Sequence, residues 1–123
     1  MQNYKSLKVW QDAYQLTLHV YQKSKSFPKE EIYGLTSQIR RACISIPNNI
    51  AEGCGRNTNL DFAHFLQISL GSTNEVDYLN LLAKDLGYLS FEEYLELDEQ
   101  LNKIRAKLIN LIQQVRKNKN VER

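Results

Sequence analysis

Asp61 and His64 stand three residues apart, a spacing that sets a carboxylate and an imidazole on one helical face, within reach of a single metal ion. A di-iron centre in a helical bundle needs more: two Glu-x-x-His motifs and two further inward carboxylates, none of which this chain offers. The other histidine, His19, falls on the polar side of the first helical stretch. With no histidine beside a nucleophile and no glycine-rich phosphate loop, general acid–base and nucleophilic catalysis lack their parts. Cys43 lies on an apolar helical face and Cys54 between Gly53 and Gly55, too few and too poorly spaced for a disulfide framework or a zinc site. The chemistry expected is therefore binding, with no enzyme activity, no metal and no cofactor.

Two sets of residues carry that expectation. Arg56, beside the glycine turn, and Lys103, Lys107, Arg116, Lys117 and Lys119, toward the chain's end, are of the type that contacts phosphate. Acid at the start of the last helix (Glu92, Glu93, Glu96, Asp98, Glu99) and base at its end also complement the helix dipole, a purely structural role. Gln38, Arg41, Ser45, Asn49 and Glu52 form a polar stripe on the second helix. Buried charges must be paired, so the stripe reads as a structural network in which Arg40 or Arg41 meets Glu75 or Glu52.

Four helices must position these groups, at about residues 5–26, 29–54, 59–86 and 90–117. In the first, Val9, Trp10, Ala13, Tyr14, Leu16, Thr17, Leu18, Val20 and Tyr21 spread over half the circumference, wider than one contact needs. Either a neighbouring subunit covers the surplus, with Trp10, Tyr14 and Tyr21 as interface candidates, or these large rings spread the arc while keeping their polar ends in water. Phe27-Pro28 closes this helix. The second begins in the Lys29-Glu30-Glu31 turn or only near Leu35, because Gly34 weakens the stretch between. Pro47 interrupts it at a cost of about 3 kcal/mol in a plain interior. The short polar Ser45, Asn48 and Asn49 are placed to bond freed backbone groups, so the expectation is one kinked helix, ended by Gly53 and Gly55. Thr58 with Asp61 and Ser90 with Glu93 mark the next two helix starts, and Gly87 a C-cap. In the fourth, Tyr94, Leu97, Leu101, Ile104, Leu108, Leu111 and Val115 repeat at alternating threes and fours, the seam of bundle packing. Short links force neighbours to run antiparallel, hence a single all-α domain over 1–123, an up-down-up-down four-helix bundle.

At 123 residues the chain suits one domain with a proper core. A net charge of +2 is modest for a dedicated nucleic-acid binder. With no long apolar run and no signal-peptide pattern, a cytoplasmic protein without membrane contact is expected.

Nearly the whole chain resembles the bacterial family of small four-helix bundle proteins encoded in intervening sequences of 23S rRNA genes. The residues that carry the resemblance include Val9-Trp10-Gln11, Phe27-Pro28, Gly34-Leu35, Ser37-Gln38-Ile39-Arg40-Arg41-Ala42, Ser45-Ile46-Pro47, Asn49-Ile50-Ala51-Glu52-Gly53, Gly55-Arg56, Phe65-Leu66 and Gly71-Ser72 with Glu75. Ser69 departs from the alanine usual before the Gly-Ser pair. The resemblance implies a homo-oligomer, typically a pentamer: a five-subunit ring of bundles. A related branch is similar to accessory proteins of diversity-generating retroelements, which implies RNA, DNA or a reverse transcriptase as partner, although those proteins are more basic than this one. The two functions expected are a binding adaptor for nucleic acid or a nucleic-acid enzyme, and a structural or protein-binding oligomer with no nucleic-acid affinity.

Overall fold

A computed structural model describes residues 2–118 and places four α-helices, with no strand among the described residues. They are α1 (Lys8–Ser24), α2 (Leu35–Cys54), α3 (Asn59–Asp85) and α4 (Phe91–Lys117). Short 3-10 turns precede α1 at Tyr4–Ser6 and α2 at Lys29–Glu31. The second α-helix proper thus starts at Leu35, six residues later than position 29. Gly34 adopts φ −113° and ψ −116°, which breaks the helical path, and the Glu31 carboxylate caps the new start by accepting from the Leu35 N–H at 3.0 Å.

Each helix packs against its neighbours in sequence and α1 closes the circle against α4. Contacts along every interface run in opposite senses. Arg40 meets Ser24 while Cys43 meets Thr17, Ser45 meets Ser72 while Gly53 abuts Phe62, and Asp77 meets Arg105 while Gln67 meets Arg116. Leu16, Leu66 and Leu79 fill the middle with Ile39, Cys43, Ile46 and Ile50 of α2 and Leu97, Leu101, Ile104 and Leu108 of α4, the last two sets recurring at spacings of three or four. No helix among the described residues is long and apolar enough to cross a membrane.

α2 continues through Pro47. The carbonyl that Pro47 cannot serve is that of Cys43, and the Thr17 hydroxyl of α1 stands 3.4 Å from it while also donating to Ala13 at 2.8 Å. A neighbouring helix thus supplies the polar group there. Asn49 instead donates to the Ser45 carbonyl and hydroxyl, at 2.8 and 3.0 Å, and Asn48 is exposed. Gly53 belongs to the helix rather than ending it. A Cβ there would lie 2.8 Å from a Phe62 ring carbon, so the glycine is what lets the start of α3 lie against α2. Gly55 has an ordinary φ of −87°, and Gly87 alone among the glycines has a positive φ, 81°, in the turn that closes α3. Ser90 and Glu93 exchange the two bonds of a capping box at the head of α4.

Candidate functional site

Antiparallel packing gathers the C-terminal ends of α2 and α4 around the first turns of α3. Asn59 Nδ2 donates to the Asn118 carbonyl at 2.9 Å, tying α3 to α4 there. Arg56 lays its guanidinium 5.0 Å from the centre of the Phe65 ring, and Arg116 donates to Gln67 Oε1 at 3.1 Å. Lys117 is exposed beside them. Arg116 also lines a hollow of about 370 Å³ with Leu60, Asp61, His64 and Gln67. Arg56, Arg116 and Lys117 therefore share one end of the bundle. Lys119 lies outside the described residues.

Lys103 and Lys107 do not join them. Lys107 is paired with Asp12 of α1, and Lys103 stands 4.0 Å from Glu99 on its own helix. Both lie on the flank of the bundle, midway along α4, and of the two only Lys107 links α4 to α1. Asp61 and His64 sit at the α3 start, and no group of three metal-ligating side chains occurs among the described residues.

The polar stripe of α2 divides into two parts. Ser45 and Ser72 share a hydrogen bond of 2.8 Å across the α2–α3 interface, and Asn49 braces Ser45, so these form a structural joint. The arginines behave differently from the pairing expected of them. Arg40 turns toward α1, where Nε donates to Ser24 Oγ at 2.8 Å and the guanidinium lies 4.8 Å from the Tyr21 ring centre. Arg41 and Glu75 line one open hollow of about 420 Å³ together with Gln38, Ser37 and Tyr33, yet no ion pair within 4.0 Å joins Arg41 to Glu75 or to Glu52. Tyr33 on its rim is 95% exposed. Each arginine's direction depends on which neighbouring element offers an acceptor, which the spacing along α2 does not encode.

The aromatic face of α1 is built in layers. Trp10 is half-buried, with Tyr4 edge-on at 4.9 Å and Tyr14 stacked at 5.1 Å. Beyond it Tyr14, Leu18 and Tyr21 remain 45%, 47% and 37% exposed. These positions, four and three residues apart, form one stripe on the side of α1 toward α2.

At the opposite end, Glu31 accepts from Tyr88 Oη at 2.9 Å, and Phe27 packs on the Tyr88 ring at 5.6 Å. The Leu35 N–H and the Tyr88 hydroxyl hold the Glu31 carboxyl below its ordinary range, and the same bond raises the Tyr88 phenol. Lys23 beside Glu96 lowers that carboxyl too. Burial pushes the Cys43 thiol up to about 12, which leaves it without nucleophilic character at neutral pH.

Residues 5–110 match the family model described as 23S rRNA-intervening sequence protein. The fold is similar to the crystal structure, at 1.70 Å, of a protein of unknown function from the S23 ribosomal protein family of Bacteroides thetaiotaomicron. The two chains are 25% identical, with a TM-score of 0.79 over 85% of this chain and 95% of that one. No curated protein matches.

Proposed function

Since the chain belongs to the 23S rRNA-intervening sequence protein family, we propose that it is a non-enzymatic, self-associating helical bundle that acts as a binding adaptor and engages nucleic-acid phosphates with one end of the bundle. The supporting observation is the segregation of charge along the bundle. Arg56, Arg116 and Lys117 collect where α2 and α4 end, while Glu92, Glu93 and Glu96 lie at the head of α4, at the far end. Lys5 and Lys8 enter at the basic end as well, because Asp12, one turn after Lys8, meets Lys107 in the second half of α4. Arg116 and Lys117 have no carboxylate within 4.0 Å among the described residues, so their charge remains available to an anion.

Self-association multiplies that modest charge. A closed assembly repeats the basic end once per copy, and a strand that touches several copies gains avidity without any single strong site. The exposed stripe of Tyr14, Leu18 and Tyr21 is the surface that such an assembly would cover. The partners in this reading are a second copy of the chain and an RNA or DNA strand, or a nucleic-acid enzyme that presents one.

A second reading, an oligomer that binds only protein, is favoured by the internal compensation of Lys103 and Lys107. Gel-shift titration of a mixed-sequence single-stranded RNA across salt concentrations separates the two. Phosphate binding predicts a log–log salt slope of about −0.7 per neutralised phosphate on a single strand. A complex that forms equally well at high salt, or none at low salt, favours the protein-binding oligomer.

A further inference from the structure

We infer that the hollow between the C-terminal end of α1 and the first turn of α2 binds a small phosphate monoester with an apolar body. The site lies at the end of the bundle away from Arg116 and depends neither on self-association nor on nucleic acid. Its volume is about 450 Å³, within the range of small-ligand sites, and the link from α1 to α2 forms much of its wall. Lys25, Lys29 and Arg40 all line it. No carboxylate stands within 4.0 Å of any of the three among the described residues, whereas Lys23, Lys84, Lys103 and Lys107 each have an acid at hand. Neither Glu30 nor Glu31 lines the hollow, and Glu31 is engaged by the Leu35 N–H and the Tyr88 hydroxyl.

Thr36 is the independent mark. It sits in the first turn of α2, is only 3% exposed, and lines the same hollow. The other buried polar residues, Ser24, Ser69, Thr73 and Asn80, each make a side-chain hydrogen bond, but the Thr36 hydroxyl has no partner among the described residues. Asn80 Oδ1 is the one sealed side-chain polar atom without a partner among the described residues, so the Thr36 oxygen is not sealed and opens into the hollow it lines. Valine would fill the same space. A hydroxyl held this deep, with nothing in the chain to bond, is placed to serve a bound group.

Three uncompensated cations around a hydroxyl suit a dianion. A phosphate monoester carries a charge of about −1.5 to −2 at neutral pH and offers three acceptor oxygens, whereas a carboxylate or a nucleic-acid phosphodiester brings a single charge. Arg40 donates Nε to Ser24 at 2.8 Å and Nη2 to the Tyr21 carbonyl at 3.4 Å, which orients the guanidinium and leaves Nη1 available to a ligand. The first turn of α2 adds the positive end of a helix dipole. Phe27, Pro28 and Ile32 form the apolar wall, with Ile32 49% exposed. Inorganic phosphate would leave that wall uncovered, so the ligand carries an apolar body beside its phosphate.

Isothermal titration of the full chain with phenyl phosphate tests this, with inorganic phosphate and phenylacetate as comparison probes. Phenyl phosphate is expected to bind about tenfold or more tightly than either. Thr36→Val keeps the shape of the side chain and is expected to weaken phenyl phosphate about tenfold, while the Tm without ligand does not fall. Lys25→Gln/Lys29→Gln, both on the surface, is expected to weaken it as well, and Lys103→Gln, outside the hollow, to leave it unchanged. No binding at millimolar phenyl phosphate, equal affinity for inorganic phosphate or phenylacetate, or binding that survives both the Thr36 and the double lysine variants would overturn the assignment. So would an equal loss in Lys103→Gln, which would reduce the effect to overall charge. A 5′-phosphorylated oligonucleotide that needs the same residues and binds more tightly than phenyl phosphate would overturn the small-molecule source.

Discussion

Replacing Gly53 by alanine is expected to destabilise the fold, although alanine is the better helix former. Propensity alone favours the change by about 1 kcal/mol. Opposing it, the new Cβ would lie 2.8 Å from Phe62 Cδ1 and 3.0 Å from Phe65 Cβ. Carbon atoms rest at about 3.5–4.0 Å, so α2 and α3 must part by roughly half an ångström or more, or Phe62 must leave its rotamer. Phe62 is 2% exposed and anchors the base of the core, so neither relaxation is local. Overpacking of this kind costs about 1–3 kcal/mol. The most costly cases exceed the propensity gain by about 2 kcal/mol, and a second contact at 3.0 Å places this site among them. The expected net loss is about 1–2 kcal/mol, or a fall of roughly 4–8 °C in Tm for a chain of this length. Urea unfolding followed by circular dichroism at one protein concentration reads it. A Gly53→Ala protein as stable as wild type, or more so, would refute the argument that close helix approach explains this glycine.

Thr17→Val keeps the shape but removes the hydroxyl near the Cys43 carbonyl; a loss of about 1–2 kcal/mol in urea unfolding is expected, with Thr17→Ser much milder. Asn80 is fully buried, and its Oδ1 has no partner among the described residues, while Nδ2 donates to the Tyr94 carbonyl. Asn80→Leu should therefore be near neutral, and Asn80→Asp should cost about 3 kcal/mol or more at pH 7 by the same assay. Glu31 has a folded pKa below its ordinary 4.5, so its stabilisation is complete above that value and lost as pH falls through the lower one. Glu31→Gln should flatten the acid limb of the stability profile below about pH 5, measured by thermal melts across pH. Cys43, with its thiol pushed to about 12 by burial, should resist an aromatic disulfide reagent at pH 8 and react once urea unfolds the chain.

How much of this was legible beforehand follows from which interactions are local. The capping box at Ser90 and Glu93, the Thr58 cap and the turn at Gly87 depend on residues within a few positions of each other, and their patterns sit openly in the chain. The apolar spacing of Leu97, Leu101, Ile104 and Leu108 marks the buried side of α4 for the same reason. What could not be read was tertiary. The group near the carbonyl freed by Pro47 comes from Thr17, twenty-six residues before Cys43, and no local pattern joins the two. Gly53 looks like a stop signal in sequence, because only the position of Phe62 reveals it as a packing residue.

The binding residues divide in the same way. Arg56, Arg116 and Lys117 were recognisable as basic, but only the antiparallel packing collects them at one end and sends Lys103 and Lys107 elsewhere, to Glu99 and Asp12. Arg40 and Arg41 are adjacent in sequence and about 100° apart on the helix, so one reaches α1 and the other faces the hollow beside Glu75. The signal that would have separated them is their phase against Ile39 and Cys43, which fixes the buried side of α2.

Light scattering of the full chain, alone and with a mixed-sequence single-stranded RNA at low and moderate salt, tests the central claim most directly. The adaptor account predicts a mass several times that of one chain, with a further gain on adding RNA that disappears as salt rises and is abolished by the Arg116→Glu/Lys117→Glu double variant. A single-chain mass under all conditions, or an RNA complex indifferent to both salt and those two charges, would contradict it.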